Sequence, residues 1–500
     1  MNATPATSSN ASAADGAHPQ LSDRRKTAIL AICCMSLLIV AMDNTIVNVA
    51  LPSIRRDLHA SVSGLQWTID AYVLVIASLL LLSGSTADRL GRKRIFQLGL
   101  TLFVLGSLLC SLAPTLGWLI AARALQGVGG SMLNPVAMSI ITNVFTHPRE
   151  RARAIGAWGA VVGVSLALGP IVGGALTESV GWRAIFWINI PIGLAAVALT
   201  ALYVPESRAA RARRIDPVGQ ALVFITLASL TYAIIEGPGA GWSSTQTIGT
   251  FALAAVALMS FVLYEPRRAD PLIELRFFRS APFSGATVIA VSAFAGFIGF
   301  LFVNTLYLQD VRGYSPLDAG LCTLPLAVAA LVCSPLSARL LSNRGPRLPL
   351  FIAGGCMAAS GLAMTTLTAS TSLTQLLIVY AVFGVGFGFV NPPITFTAVS
   401  GMPNSQAGVA AAVASTSRQV GQALGVAVIG TIVGAAVGGS VSVHLASASH
   451  PAWWVVVGCG ASVFAMGAAS TGRWARETAR RCAEQLEREQ KETSQPLQPA

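Results

Sequence analysis

The stretch "LIVAMDNTIVNVALPSI", residues 38–54, sets an aspartate, Asp43, inside an apolar run that begins with "KTAILAICCMSLLIVAM" at 26–42. Such a run is long enough to cross a hydrocarbon core of about 30 Å. A charge at that depth is expensive, and it is tolerated where it faces a cavity or a partner. Asp43 therefore reads as a coupling site or a cation ligand.

Composition extends this reading to the whole chain. Of 500 residues, 54% are hydrophobic and 11% are charged, with a mean hydropathy of +0.66, whereas soluble domains are about one-quarter charged. The Ala, Gly, Leu and Val bias selects helices, because in lipid every backbone amide must be satisfied within its own segment. The expected fold class is an all-α polytopic membrane protein. The opening "MNATPATSSNASAADGAHPQ" has a disordered composition and lacks the basic region, apolar core and cleavage site of a signal peptide. Eight cysteines are scattered without a CxxC pair. They read as small hydrophobes, so no metal or other cofactor is expected.

Fourteen apolar runs are long enough to span: near 28–50, 62–83, 95–113, 117–141, 156–176, 184–204, 218–236, 246–264, 284–308, 318–338, 349–369, 373–397, 406–435 and 453–472. Of 33 lysines and arginines, all but Arg55, Arg56, Arg123, Arg183, Arg312 and Arg418 fall in the N-terminal segment, the C-terminal tail or the connections after even-numbered runs. The positive-inside rule then puts both termini in the cytoplasm. The net charge of +12 reflects topology and contact with anionic lipid rather than nucleic-acid binding.

An even count with both ends inside fits a disordered tail (1–24), a six-helix bundle (25–205), a linker carrying two extra helices (206–282), a second six-helix bundle (283–472) and a cytoplasmic tail (473–500). Within that tail "RWARETARRCAEQLEREQKE" predicts a basic amphipathic helix. The short basic connections "GSTADRLGRKR" (84–94) and "SARLLSNRGPRLP" (337–349) are a weak echo of duplication.

Four charges sit well within spans: Asp43, Asp70, Arg123 and Arg418. At about 1.5 Å per residue, Asp43, Asp70 and Arg123 share the outer half of the bilayer and are expected in one polar cluster. Two readings stay open. A fixed ion pair clamps the helices, or two acids facing one base leave one carboxylate able to load and release a proton. Arg418 either faces a central cavity or bonds nearby carbonyls. Asn48, Asn134, Asn391 and Gln419 are candidates to line the same cavity, or act as interhelical glue.

In "GVSLALGPIVGGAL" (163–176), Gly163, Pro170 and Gly174 recur at helical spacing, and Gly169 and Gly173 form a second close-approach face. This is a packing seam, or a seam that slides as two halves rock. No glycine-rich stretch carries the GK[ST] ending of a phosphate loop, which argues against an ATP-driven pump.

Together these stretches resemble the major facilitator superfamily, and within it the fourteen-span drug:proton antiporters of the EmrB/QacA type. The resemblance rests on "DNTIVNVALP", "QWTIDAYVL", "GSTADRLGRKR", "RALQGVGG", "GPIVGG", "WRAIFWINIPIG", "PLIELRFFR", "LYLQDVRGYSPLDAGL" and "SRQVGQALGVAVIG", and runs from about residue 25 to 472. It implies two six-helix bundles and an extra two-helix hairpin working by alternating access in the bacterial cytoplasmic membrane. It also implies a secondary transporter, not an enzyme, driven by the proton gradient without a cofactor, and a monomer. By the same resemblance Asp43 and Arg123 form the coupling relay. Gly84, Asp88, Arg89, Gly91 and Arg92 hold the cytoplasmic gate, and Pro170 with its glycines forms the antiporter motif. The acid at Asp70 resembles exporters of lipophilic cations.

The expected function is proton-coupled export of amphipathic drugs, antibiotics or a secondary metabolite, cations among them. One alternative is transport of a physiological solute such as an amino acid or siderophore. Another is a non-transporting sensor or scaffold, which leaves the intramembrane acids unexplained. The expected partners are protons, membrane lipids and the small molecules carried, without nucleic acid.

Overall fold

The computed structural model describes residues 22–209, 215–268, 270–403, 406–437 and 441–494. Of the tail read as disordered, residues 1–24, residues 1–21 fall outside them, while Asp23 and Arg24 already belong to the first helix. The regular structure among the described residues is helical. The first group comprises α1 (Asp23–Leu58), α2 (Val62–Leu90), α3 (Arg92–Ser111), α4 (Leu116–Val144), α5 (Pro148–Ser179), the short α6 (Ala184–Trp187) and α7 (Asn189–Tyr203). A hairpin follows, α8 (Pro217–Ala240) and α9 (Thr245–Tyr264). The last group is α10 (Ala281–Leu306), α11 (Pro316–Cys322), α12 (Leu324–Arg344), α13 (Arg347–Met364), α14 (Leu373–Val399), α15 (Ala407–Val437), α16 (Val441–Ala448), α17 (His450–Ala469) and α18 (Arg473–Ser494).

Helix starts follow local chemistry. Side-chain oxygens of Ser61, Thr115, Asp216, Ser244 and Ser372 accept the amides of Gly64, Trp118, Gly219, Thr247 and Gln375. Each satisfies one of the otherwise orphaned amides of a first turn.

Among the described residues, thirteen helices, with α6–α7, α11–α12 and α16–α17 each counted once, are long and apolar enough to cross a membrane. The chain is thus a multi-pass membrane protein. Helix α4 is outside that set although it has 29 residues, because Arg123, Gln126 and Asn134 dilute its hydropathy.

The two helix groups repeat one packing scheme. In the first, α1 packs on α5, α2 on α4, and α3 on α7; in the second, α10 packs on α15, α12 on α14, and α13 on α17. Contacts between the groups interchange in the same way, α2 with α15 and α5 with α11 and α12. The duplication is far plainer here than in the two basic connections.

Hydrogen bonds and ion pairs joining the groups cluster at one end, where α1 ends and α2 begins. Gln66 Nε2 on α2 donates to the carbonyls of Val426 (3.0 Å) and Ala427 (2.9 Å) on α15. Gln309 Nε2 donates to Val49 O at 2.8 Å, Arg55 Nη1 lies 3.5 Å from Asp310 Oδ2, and Leu317 N donates to Glu178 Oε2 at 3.2 Å. The basic connections lie at the opposite end. Helix α8 leans on the α2–α15 contact, with Trp67 Nε1 donating to Glu236 Oε1 at 2.7 Å and Thr431 Oγ1 to Ile234 O at 2.9 Å.

The C-terminal helix forms as expected, and its apolar stripe docks on protein. Ala475, Ala479, Cys482 and Leu486 are buried. Cys482 Sγ lies 3.5 Å from Arg276 O, and Ala281 N donates to Thr478 Oγ1 at 3.0 Å.

Close approach of α3 and α4 depends on Gly106, where an added Cβ would lie 2.6 Å from the Cα of Gln126. Gly106→Ala should cost about 1–3 kcal/mol through overpacking and lower the thermal midpoint of the purified protein. Gly117→Ala, with nothing within 4 Å of the added carbon, should leave it unchanged. Equal midpoints for the two variants would contradict this packing.

Candidate functional site

The close α3–α4 contact delivers two polar side chains of α4 to the middle of the first group. Arg123 and Gln126 lie three residues apart and so share a helix face. Arg123 Nη1 donates to Asp43 Oδ2 at 2.5 Å and to Gln126 Oε1 at 2.7 Å, and Nε donates to Thr68 O at 3.1 Å. The guanidinium carbon stands 4.1 Å from the ring centre of Tyr72, a cation–π contact in a desolvated place. Asp43 is 0% and Arg123 1% exposed.

The second oxygen of Asp43 is also satisfied. Gln126 Nε2 donates to Oδ1 at 2.9 Å and Asn189 Nδ2 at 3.2 Å. Ser107 Oγ accepts from the same two amides at 2.9 and 3.4 Å. Helices α1, α2, α3, α4 and α7 thus meet in one network. A buried ion pair is tolerable when its remaining lone pairs and protons find partners, and removing one member costs about 3–5 kcal/mol.

Sequence reasoning named Asp43 and Arg123 but missed Gln126, Asn189, Ser107 and Tyr72. The signal for Gln126 was its spacing from Arg123 in "RALQGVGG"; for Asn189 it was a lone amide in "WINIPIG".

Asp70 does not join this cluster, contrary to the depth estimate. It is 0% exposed and neither carboxylate oxygen has a hydrogen-bond partner. Depth was a sound guide but helical phase decides. Arg123 meets α2 at Thr68 and Tyr72, and Asp70, two residues beyond Thr68, points about 200° away at 100° per residue. Asp70 lies one turn from Gln66, on the face that meets α15.

The candidate cavity residues are dispersed. Asn48 Nδ2 and Asn391 Nδ2 bond back to Asn44 O (2.9 Å) and Phe387 O (3.4 Å) within their own helices. One oxygen each of Asn48, Asn134 and Gln419 is buried without a partner. Of the two forms expected for Arg418, facing a central cavity or bonding nearby carbonyls, the second is not found: its partners are hydroxyls. Its Nη2 donates to Thr395 Oγ1 at 2.6 Å and its Nη1 to Ser415 Oγ at 3.3 Å. An apolar cavity of about 230 Å³ lies between the hairpin and the last group, with Phe261, Phe278, Val291, Thr416 and Val420 in its wall.

In the connection between α2 and α3, Arg92 Nη2 donates to Asp88 Oδ1 at 2.9 Å. Gly91 has φ +119°, a conformation that favours glycine. Beside it stands Glu206, missed by the sequence reading, whose Oε1 accepts Lys93 N at 3.1 Å. Ala209 N donates to Asp88 O at 3.0 Å and Arg92 N to Ser207 O at 2.9 Å, so the connection is tied to the segment leading into the hairpin. Arg89 is exposed, and a Cβ added to Gly84 would lie 3.8 Å from Pro135.

The glycines of α5 divide between two neighbours. Gly169 meets Thr45 and Gly173 meets Ile46, both on α1. Gly163 meets Leu331 on α12 and Gly174 meets Leu317 on α11, while Gly320 of α11 sits against the carbonyl of Pro170. One stripe therefore seals the first group and the other seals the contact between groups. Among the described residues no group of three or more His, Cys, Asp or Glu is placed to hold a metal ion.

Residues 33–426 match the family model of the Major Facilitator Superfamily. The chain is 37% identical over 386 residues to multidrug resistance protein Stp of Mycobacterium tuberculosis, covering 77% of this chain and 72% of the relative. It is 37% identical over 387 residues to the tetracenomycin C resistance and export protein of Streptomyces glaucescens, at 77% and 72% coverage. Against puromycin resistance protein pur8 of Streptomyces alboniger it is 38% identical over 403 residues, 80% of each. A bacterial homolog to the human lysosomal transporter Spinster, solved in an inward-facing and occupied conformation, superposes with a TM-score of 0.65 at 18% identity, covering 93% of this chain and 99% of that one. That likeness speaks for the fold. With its duplicated helix groups and an intramembrane Asp–Arg network, this chain belongs to the major facilitator superfamily.

Proposed function

We propose that the protein is a proton-coupled antiporter of the EmrB/QacA type that exports amphipathic drugs, antibiotics or a secondary metabolite from the cytoplasm. The observation that carries this reading is the contrast between two intramembrane acids. Asp43 is fully compensated, whereas Asp70 is sealed in with both oxygens unbonded. An ionised carboxylate without compensation is not sustained in such a place. Either a proton or a substrate cation satisfies Asp70, and competition for one carboxylate is antiport in its simplest form. The names of the relatives, resistance and export proteins, support the substrate class.

In this reading α4 is the fourteenth crossing. Residues 25–205 and 283–472 are the two moving bundles, 206–282 carries the extra hairpin, and the protein works as a monomer in the bacterial cytoplasmic membrane. The basic end faces the cytoplasm with both termini, so the contacts at Gln66, Gln309 and Arg55 close the outer end and the conformation is inward-facing. Loading a proton on Asp43 requires its pair with Arg123 to part, which couples protonation to movement of α1 against α4. The α5 glycines that meet α11 and α12 are the surface on which the halves rock.

The test is export in everted vesicles under an imposed pH gradient, with ethidium as the cationic probe and tetracenomycin C as the neutral one. Asp43→Asn should abolish export of both. Asp70→Asn should lower ethidium export roughly tenfold or more, about 1.4 kcal/mol, and spare the neutral probe. Full activity in Asp43→Asn would remove the coupling role, and equal loss of both probes in Asp70→Asn would merge the two acids into one relay.

We also propose that the Asp88–Arg92 connection gates the cytoplasmic end. Asp88→Ala should reduce export at least tenfold, about 1.4 kcal/mol on the barrier, at near-normal expression, because the connection lies outside the helix core. A wild-type export rate in this variant would show that the connection has no gating role.

A further inference from the structure

A second pair of acids lies at the other end of the molecule, where the hairpin begins and ends. Asp216 caps α8 and Glu265 follows the last residue of α9. They are 3% and 1% exposed, well below what carboxylates normally show unless paired. One oxygen of each is anchored. Asp216 Oδ1 accepts Gly219 N at 3.0 Å and the Tyr264 hydroxyl at 3.2 Å, and Glu265 Oε1 accepts Ile273 N at 2.7 Å.

The other two oxygens, Asp216 Oδ2 and Glu265 Oε2, are buried without a hydrogen-bond partner. They converge on one spot above Gly219, where an added Cβ would lie 2.7 Å from the first and 3.1 Å from the second. The two oxygens are therefore within about 6 Å of each other, a range in which like charges disfavour double ionisation.

Among the described residues, the surrounding charges do not cancel two negatives. Arg268 Nε stands 4.0 Å from Asp216 Oδ2, and its guanidinium lies over the Tyr264 ring at 5.7 Å. Arg267 is turned to the carbonyl of Leu263. Glu274 is engaged by Arg276 at 2.7 Å. On α2, against which α8 packs, Asp88 is held by Arg92 at 2.9 Å and Asp70 belongs to the opposite end. On α15, Arg418 is bonded to Thr395 and Ser415. Among the described residues, one arginine thus faces two acids. A single proton between the acids brings the group to neutrality and supplies the missing donor.

We propose that Asp216 and Glu265 form a second proton-binding site, separate from Asp43 and Asp70, which holds one proton between their facing oxygens. The proton latches the segment after α9. With it in place, Glu265 Oε1 keeps the Ile273 amide and the turn stays folded beneath the hairpin. Without it, two like charges push Glu265 off Asp216 and release that amide. The same segment, through Ile273 and Phe278, walls the apolar cavity between α9, α10 and α15, so the latch sets whether that wall is closed.

The test uses the purified full-length protein in deuterated buffer, with no substrate. Infrared difference spectra between wild type and Glu265→Gln at neutral pH should show one carboxylic-acid carbonyl absorption in wild type that the variant lacks. Asp216→Asn should remove the same absorption, because the remaining acid then ionises beside Arg268. Hydrogen–deuterium exchange of residues 270–280 should rise several-fold in wild type on alkalinisation. In Glu265→Gln, which mimics the protonated form, this pH response should be absent.

Spectra identical in wild type and folded Glu265→Gln would overturn the proposal, as would alkaline exchange that rises equally in both. If Glu265→Gln does not fold, Tyr264→Phe removes only an outer donor and should keep both the absorption and the pH response. A carboxylic-acid absorption undiminished from wild type to Asp216→Asn would also overturn it. Export activity enters none of these readouts, so the site stands or falls independently of the transported substrate.

Discussion

The Asp43–Arg123 pair is the constraint around which the first helix group is arranged. Two opposite charges at zero or near-zero exposure must find partners for every remaining donor and lone pair, or the pair costs more than it returns. That requirement explains why α3 contributes Ser107, α4 Gln126, α7 Asn189 and α2 a carbonyl and an aromatic face. It also explains Gly106, since Gln126 reaches Asp43 and Ser107 only if the α4 backbone lies directly on α3. A polar network of this sort fixes a unique arrangement of helices in a setting where apolar faces alone discriminate weakly, lipid being as apolar as the helix surfaces.

The second group repeats the helix pairings without repeating the charge. Its corresponding interior is aromatic, with Phe300 stacked on Phe383 at 4.2 Å and Phe297 on Phe387 at 4.1 Å, and Tyr380 donating to Asn304 Oδ1 at 2.6 Å. One half is thus pinned by a buried ion pair, while the other is packed largely by aromatic rings. Between them, α5 meets α11 and α12 through glycines and backbone, and Gln66 spans to two carbonyls of α15. Contacts made of backbone and a single amide can be broken and remade without exposing large apolar surface.

Much of this was legible in the sequence, for identifiable reasons. Helix positions followed from apolar run length, and the asymmetric placement of lysine and arginine separated the two ends. The two faces of "GVSLALGPIVGGAL" were readable as separate stripes because close helix approach demands small residues at helical spacing, and the structure gives each stripe its own neighbour. Asp70 was misplaced because rise along a helix says nothing about direction around it. Arg418 was unreadable, since its hydroxyl partner Thr395 lies on another helix. Asp216 and Glu265 were not singled out in the sequence. Only the fold brings residues 49 positions apart to one spot above Gly219.

The proposed mechanism turns on Asp70 exchanging a proton for a substrate cation, while protonation of Asp43 parts its pair with Arg123 and moves α1 against α4. The direct measurement is proton release by purified protein in weakly buffered solution, followed with a pH-indicator dye as a transported cation such as ethidium is added. Release should accompany ethidium binding in the wild type and be lost in Asp70→Asn. Ethidium binding without proton release, or release undiminished in Asp70→Asn, would contradict the exchange.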